Sequence, residues 1–263
     1  MNAPQSPVTM SPRLTILGGE VDLITPREVL DFADLVAGAG GSAVVANHNL
    51  HSLFLLPRTP GLKAFFDDAD LVEIDSTPMI AWARLLGLPA RRAHRSTYLD
   101  WRDDFWRLAA TRRWRVYYLG GAPGVAARAC ERLAAEWPGV TLACRDGYFD
   151  AKAGSAENRR VLADIAAFDP DILFVGMGMP RQELWIAENR SALKRGVIFP
   201  VGAAFDYEAG AQKAAPRWTG RLGLEWLFRL ADQPGRLAKR YLVEPWFLIP
   251  SALADVGAAL ARL

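Results

Sequence analysis

Asp171–Glu183 reads DILFVGMGMPRQE, and this stretch decides the fold. The short apolar run Ile172–Val175 breaks into Gly176-Met177-Gly178-Met179-Pro180, after which Arg181-Gln182-Glu183 opens a helical pattern. Glycine tolerates the backbone angles of a sharp strand exit, and proline suits the first position of a helix. The first turn of such a helix offers free N–H groups and the positive end of the helix dipole, which attract an anion such as a phosphate. An ordinary βα turn has the same spacing, so the rest of the chain must separate the two readings.

The pattern repeats on both sides of this stretch. Val116–Leu119 is a strand, Gly120-Gly121-Ala122-Pro123-Gly124 a glycine-rich turn, and Ala126–Trp137 an amphipathic helix. Strands at Val140–Cys144 and Val197–Val201 and helices at Glu157–Phe168 and Glu183–Leu193 continue the alternation. Strands alternating with helices of this length imply a parallel sheet covered on both faces. Gly120, Gly121, Gly124, Gly176 and Gly178 then lie at strand carboxyl ends. Neither turn carries a G-K-[ST] phosphate loop or the dinucleotide fingerprint with its distant acid. A nucleotide diphosphate held by backbone amides fits both.

The N-terminal third supplies polar groups to the same side of the sheet. Arg13–Leu17 and Val21–Ile24 read as short strands, and Thr25-Pro26-Arg27-Glu28 is a helix start with a capping box. The strand Ala43–Ala46 runs into Asn47-His48-Asn49-Leu50-His51. In open α/β sheets ligands sit in the crevice at such strand ends, although asparagine is also a good cap. Ala69–Ile74 is another strand and delivers Asp75 beside that crevice, where it is either a cap or a reactive carboxylate. In the basic run Arg91–Arg95, Arg95 is closest to the following helix start and best placed to meet a phosphate.

At 263 residues, with half of them hydrophobic and a net charge of +2, the chain has the composition of a well-packed soluble protein with no case for nucleic acid. Two cysteines and three histidines make neither a disulfide framework nor a zinc spacing. The polar first twelve residues lack the apolar core of a signal peptide and read as a disordered start. No run of residues reads as a membrane span of ~18 apolar residues. After Gly210 the character changes: Lys213, Arg217, Arg221, Arg229, Arg236, Lys239 and Arg240 are interleaved with Trp218, Trp226, Phe228 and several leucines. Such a segment suits a helix lying in a membrane interface, with each cation near an anionic surface contributing about 1 kcal/mol. A helix packed on the domain with a solvated basic face is the alternative.

Several segments together resemble the WecG/TagA/CpsF family of bacterial glycosyltransferases, glycosyltransferase family 26. They are Leu119–Ala126, Gly176–Glu183, Val201–Asp206 with Ala209-Gly210, Ala215–Trp218, Gly223–Trp226 with Arg229-Leu230, and Arg240-Tyr241. The resemblance covers about residues 13–243. It implies a Rossmann-like α/β domain over 13–210 and a membrane-binding helical appendage over 211–263. It also implies an inverting transferase that moves a sugar from a UDP-sugar to a polyprenyl-diphosphate-linked saccharide at the inner membrane face, without a metal or other cofactor. Family members are oligomers, and a homo-oligomer is the corresponding expectation.

Carried over residue by residue, the family's proposed base matches Asp75, with Asn49, Arg95 and Gln182 as the other catalytic positions. Asn47, the glycines of the two turns, Asp206, Arg217 and Arg221 are the candidate substrate contacts. The family's D-G-x-G is here Asp75-Ser76-Thr77-Pro78, its upstream Thr is Asn47, and Tyr98 replaces a Gly. These departures look like the GumM-like exopolysaccharide branch, so UDP-glucose is the expected donor, with N-acetylmannosamine transfer as the alternative. A nucleotide-linked oxidoreductase and a non-catalytic, nucleotide-binding membrane adaptor are the rival classes.

Overall fold

A computed structural model describes residues 13–213, 215–216, 219 and 223–262. Its centre is a six-stranded, fully parallel sheet of β3 (Ser42–His48), β4 (Leu71–Ile74), β5 (Arg115–Gly120), β6 (Thr141–Arg145), β7 (Ile172–Gly176) and β8 (Gly196–Pro200). The spatial order is β4-β3-β8-β7-β5-β6, and a separate hairpin of β1 (Leu14–Ile16) and β2 (Gly19–Val21) lies outside it. All five residues of β7 are buried, as a strand covered on both faces requires. The parallel α/β expectation holds.

Helices α1 (Pro26–Gly38), α5 (Tyr98–Arg112), α6 (Val125–Glu136) and α9 (Ala204–Glu208) bury their apolar stripes on one face. On that side Trp101, Phe105 and Trp106 of α5 enclose Phe174, Phe199 and Phe205 in one aromatic core. The other face is covered by α2 (Leu50–Leu55), α3 (Leu62–Asp67), α7 (Ala156–Phe168) and α8 (Arg181–Asn189), while α4 (Thr77–Leu85) packs against β1. Thr25 and Glu28 form the expected capping box of α1.

Several boundaries differ from the sequence reading. The second hairpin strand is Gly19–Val21, and β3 continues through Asn47 and His48 because its ladder with β4 runs that far. Helix α8 begins at Arg181, with Pro180 as its N-cap, and ends at Asn189. The appendage comprises α10 (Glu225–Asp232), α11 (Pro234–Ala238), short π and 3-10 turns, and α12 (Ile249–Leu260). Helical structure from Pro234 to Leu260 is 27 residues long and apolar enough to match a membrane span by length and composition, which the sequence reading had denied. It is nevertheless tied to the domain. Asp255 accepts hydrogen bonds from the Leu17 N–H at 2.8 Å and from Trp82 Nε1 at 2.9 Å.

Candidate active site

Two cavities meet at the carboxyl end of β4. The first, about 260 Å³, lies between the start of α2, the start of α4 and the appendage, with Leu50, Pro78, Trp226, Tyr241 and Pro245 as apolar walls. The second, about 200 Å³, follows the carboxyl ends of β3 and β8 and is lined by Asn47, Thr97, Gly178, Gln182, Gly202 and Tyr207. Asn49, Asp75, Glu225, Arg229 and Arg240 line both. Asp75 therefore stands at the junction.

Asp75 is the first residue after β4, held there by its N–H donating to the His48 carbonyl at 2.9 Å. Burial pushes its carboxyl up to about 6, Arg95 pulls it back and Glu225 adds to the rise. A carboxylate with that value is ionised at neutral pH and more basic than a solvated one, which suits proton abstraction. Arg95 sits alongside because its segment forms a bridge with Ile74 on the open edge of β4. Its guanidinium contacts Asp100 at 3.2 Å and Glu225 at 2.7 Å.

Asn49 is the N-cap of α2. Its Oδ1 accepts from the N–H groups of His51 at 3.0 Å and Ser52 at 3.1 Å, with Arg240 Nη2 at 3.5 Å. Capping and proximity to the cavities are thus combined in one residue. Asn47 donates from Nδ2 to the Pro200 carbonyl at 2.9 Å and joins β3 to the end of β8. His48 between them points to the opposite side, stacked on Phe66 with ring centroids 3.7 Å apart. Burial, with a smaller push from Arg13, lowers it to about 3, so it is a neutral core residue.

Gln182 is buried and its polar atoms are occupied. Oε1 accepts from the N–H groups of Gly178 at 3.2 Å and Gly202 at 3.1 Å, and Nε2 donates to Glu183 at 2.7 Å. It pins the loops after β7 and β8 together at the wall of the second cavity. Its amide is thereby committed to those loops and to Glu183.

The two glycine turns separate. Gly178 lines the second cavity, whereas Gly120, Gly121, Gly124 and Gly176 are absent from the linings of both. A Cβ on Gly120 would lie 2.3 Å from the Gly176 carbonyl oxygen, and one on Gly176 would lie 2.6 Å from the Tyr118 hydroxyl. These two are glycine because adjacent strands approach too closely for a side chain. Gly124 is the left-handed N-cap of α6. The Gly120–Gly124 turn belongs to β5, separated from β4 by three intervening strands, so the structure does not bring it to Asp75.

Asp206 lies in the first turn of α9 outside both linings, half-buried, its carboxyl raised by burial and opposed by Arg236. Arg217 and Arg221 fall outside the described residues. Of the appendage cations, Arg236 lines the second cavity and Arg229 and Arg240 line both; Arg229 Nε has no hydrogen-bond partner among the described residues. Arg229 and Arg240 stood in the basic run and in the motifs Arg229-Leu230 and Arg240-Tyr241, but helical phase in an irregular tail did not select them. Glu225, from Gly223-Leu224-Glu225-Trp226, was also missed. His51 Nδ1 and Glu244 Oε2, 2.5 Å apart, form a further bond between α2 and the appendage. Among the described residues no group of three His, Cys, Asp or Glu side chains is arranged to hold a metal ion.

Comparison with known proteins adds the identity of the group. A relative from Bacillus spizizenii, described as N-acetylglucosaminyldiphosphoundecaprenol N-acetyl-beta-D-mannosaminyltransferase, is 32% identical over 75% of this chain and 73% of its own. A protein of the same description from Staphylococcus aureus strain NCTC 8325 is 28% identical over 70% of this chain and 74% of its own. The model of the glycosyl transferase WecG/TagA/CpsF family matches residues 14–258, and the chain is a glycosyltransferase belonging to that family.

Proposed function

We propose that this protein is an inverting transferase that moves N-acetylmannosamine from its UDP-sugar to a polyprenyl-diphosphate-linked N-acetylglucosamine. The observation that carries the reading is the position of Asp75 where a polar cavity and a more apolar, cation-rimmed cavity meet. The descriptions of the relatives favour this substrate pair over the UDP-glucose expected from the residues around Asp75. The departures at Asn47 and Tyr98 are weak grounds for glucose. Asn47 is engaged with Pro200, and the Tyr98 hydroxyl is a structural link between Glu208 at 2.6 Å and Trp106 Nε1 at 2.9 Å.

In this reading the sugar nucleotide occupies the second cavity and the lipid-linked acceptor the first. Asp75 takes the proton of the acceptor hydroxyl as its oxygen attacks the anomeric carbon. The bond from that carbon to the diphosphate oxygen breaks, and UDP leaves with the electron pair. Arg229, Arg236 and Arg240 of the second cavity, with Arg95 on the first-cavity side of Asp75, neutralise the charge that develops on the diphosphate, so no divalent ion is invoked. A panel of UDP-sugars offered with a polyprenyl-diphosphate N-acetylglucosamine acceptor tests the reading. UDP release and lipid-linked disaccharide are expected with N-acetylmannosamine as donor. Turnover with UDP-glucose alone would return the glucose reading, and none with any donor would favour the adaptor.

The appendage is proposed to lie on the cytoplasmic face of the membrane. Leu242, Val243, Trp246, Phe247, Ile249, Leu253 and Leu260 are exposed in one run beside the first cavity, a larger apolar surface than a solvated helix leaves open. Full-length protein is expected to sediment with anionic vesicles, and the triple change Trp246→Ser, Phe247→Ser, Leu253→Ser to lower the bound fraction at least tenfold. Undiminished sedimentation would assign the contact to another surface.

A further inference from the structure

Glu73 has no part in the chemistry above, yet it is a carboxyl buried to 3% exposure within the second cavity's lining. It lies on β4 two residues before Asp75, so the two side chains emerge on the same face of the strand. Its Oε1 accepts a hydrogen bond from the Ser96 hydroxyl, which is itself fully buried. Ser96 in turn donates its N–H to the Ile74 carbonyl at 3.0 Å, next to the bridge between Ile74 and Arg95. Trp101, also buried in that lining, faces the same carboxyl and favours its charged form by hydrogen bonding. β4 is the edge of the sheet, and among the described residues this bridge and the Glu73–Ser96 bond join the Arg95 segment to it.

We infer, on the reading of Asp75 and Arg95 given above, that Glu73 is a positioning residue: through Ser96 it locks the Arg95 segment to the end of β4 and so fixes Arg95 against Asp75. Ionisation of Glu73 would tighten the Ser96 bond and at the same time set a second negative charge beside Asp75. Burial raises the Glu73 carboxyl to about 8, the Ser96 and Trp101 hydrogen bonds oppose the rise, and Asp75 and, more weakly, Asp100 add to it. The charged groups facing it are those two carboxylates from β4 and α5, Arg95 across the bridge, and Glu225, Arg229, Arg236 and Arg240 from the appendage; from β3 it meets the neutral Asn47. Arg95 is already committed to Asp100 and Glu225, and an ionised Glu73 adds a negative charge where a nucleotide diphosphate must bind, competing with it for Arg229, Arg236 and Arg240.

The test compares the wild type with Glu73→Gln, which keeps an acceptor for Ser96 but cannot ionise, and with Glu73→Ala, which removes it. Transfer rate and UDP binding are measured from pH 5 to 10, with melting temperature over the same range. The wild-type rate is expected to fall above about pH 8, roughly tenfold per unit. In Glu73→Gln that alkaline limb is expected to move up by at least one unit. In Glu73→Ala, kcat is expected to fall at least tenfold with little change in KM. The melting temperatures supply a readout independent of activity. A folded value above the unfolded one stabilises fully below about 4.5, and that contribution is lost as pH rises to about 8. Glu73→Gln is therefore expected to lose less stability than the wild type between pH 5 and 8. An alkaline limb that persists unchanged in Glu73→Gln, or a wild-type rate flat to pH 10, would overturn the inference. Absence of UDP binding at every pH would instead reject the functional reading on which it rests.

Discussion

Asp75→Asn is expected to lower the rate of transfer by 10²–10⁴-fold, the usual contribution of a positioned general base, while UDP still binds. Asparagine has the same shape, and the hydrogen bond that fixes this position is the backbone one to His48, which the change leaves in place. The substitution removes a carboxylate whose burial raises it to about 6, so the protein's stability at neutral pH is expected to stay level or increase. Loss of transfer with retained fold and UDP affinity separates a base from a structural cap. Titration calorimetry with UDP and a transfer assay on the same preparation measure both. Turnover within tenfold of the wild type would remove Asp75 from the base role.

Arg95→Ala is expected to damage both stability and transfer. Its side chain is 13% exposed and bridges Asp100 and Glu225, with Asp75 close enough to be pulled down by its charge. Without it three carboxylates face one another. Breaking a buried pair costs about 3–5 kcal/mol, and the partial exposure argues for the lower end. For a chain of this size that corresponds to a melting temperature lower by roughly 6–12 °C. The Asp75 carboxyl would rise further, and the diphosphate would lose a cation, so transfer is expected to fall more than 100-fold. Arg95→Lys should restore part of the stability and little of the rate, because an ammonium lacks the planar fork that spans two carboxylates. The double change Arg95→Ala, Glu225→Gln distinguishes the two roles. It should recover stability by relieving repulsion and leave transfer low. Recovery of both would make Arg95 a purely structural residue.

Much of this was legible in the chain itself, for identifiable reasons. The parallel sheet followed from βα alternation because buried strands and amphipathic helices each carry a distinct hydrophobic period, and all six strands appeared where the pattern put them. Asp75, Asn49 and Arg95 came together because strand carboxyl ends of an open sheet share one crevice. The Gly120–Gly124 turn showed the limit of that logic. It too lies at a strand end, but strand order is set by crossovers that local sequence does not encode, and it fell four strands away from β4. Gln182 was legible as important and not as a loop clamp, because its partners Gly178 and Gly202 are backbone groups from two separate turns. Arg229 and Arg240 were hidden by the breaks in the appendage, where short α, π and 3-10 segments interrupt helical phase. Glu73 left no signal at all. A carboxylate alternating with apolar residues reads as solvent-facing until the edge strand is seen to be covered by the Arg95 segment.

The account stands on Asp75 acting as a base between two substrates, and the pH dependence of the single-turnover transfer rate of the wild type tests that most directly. Asp75 must be ionised to accept a proton, and burial places its titration near pH 6. The rate is therefore expected to fall about tenfold per pH unit below that value, with the limb absent from the residual activity of Asp75→Asn. A single-turnover rate that stays constant from pH 7 down to pH 5, or an acid limb that survives unchanged in Asp75→Asn, would contradict the account.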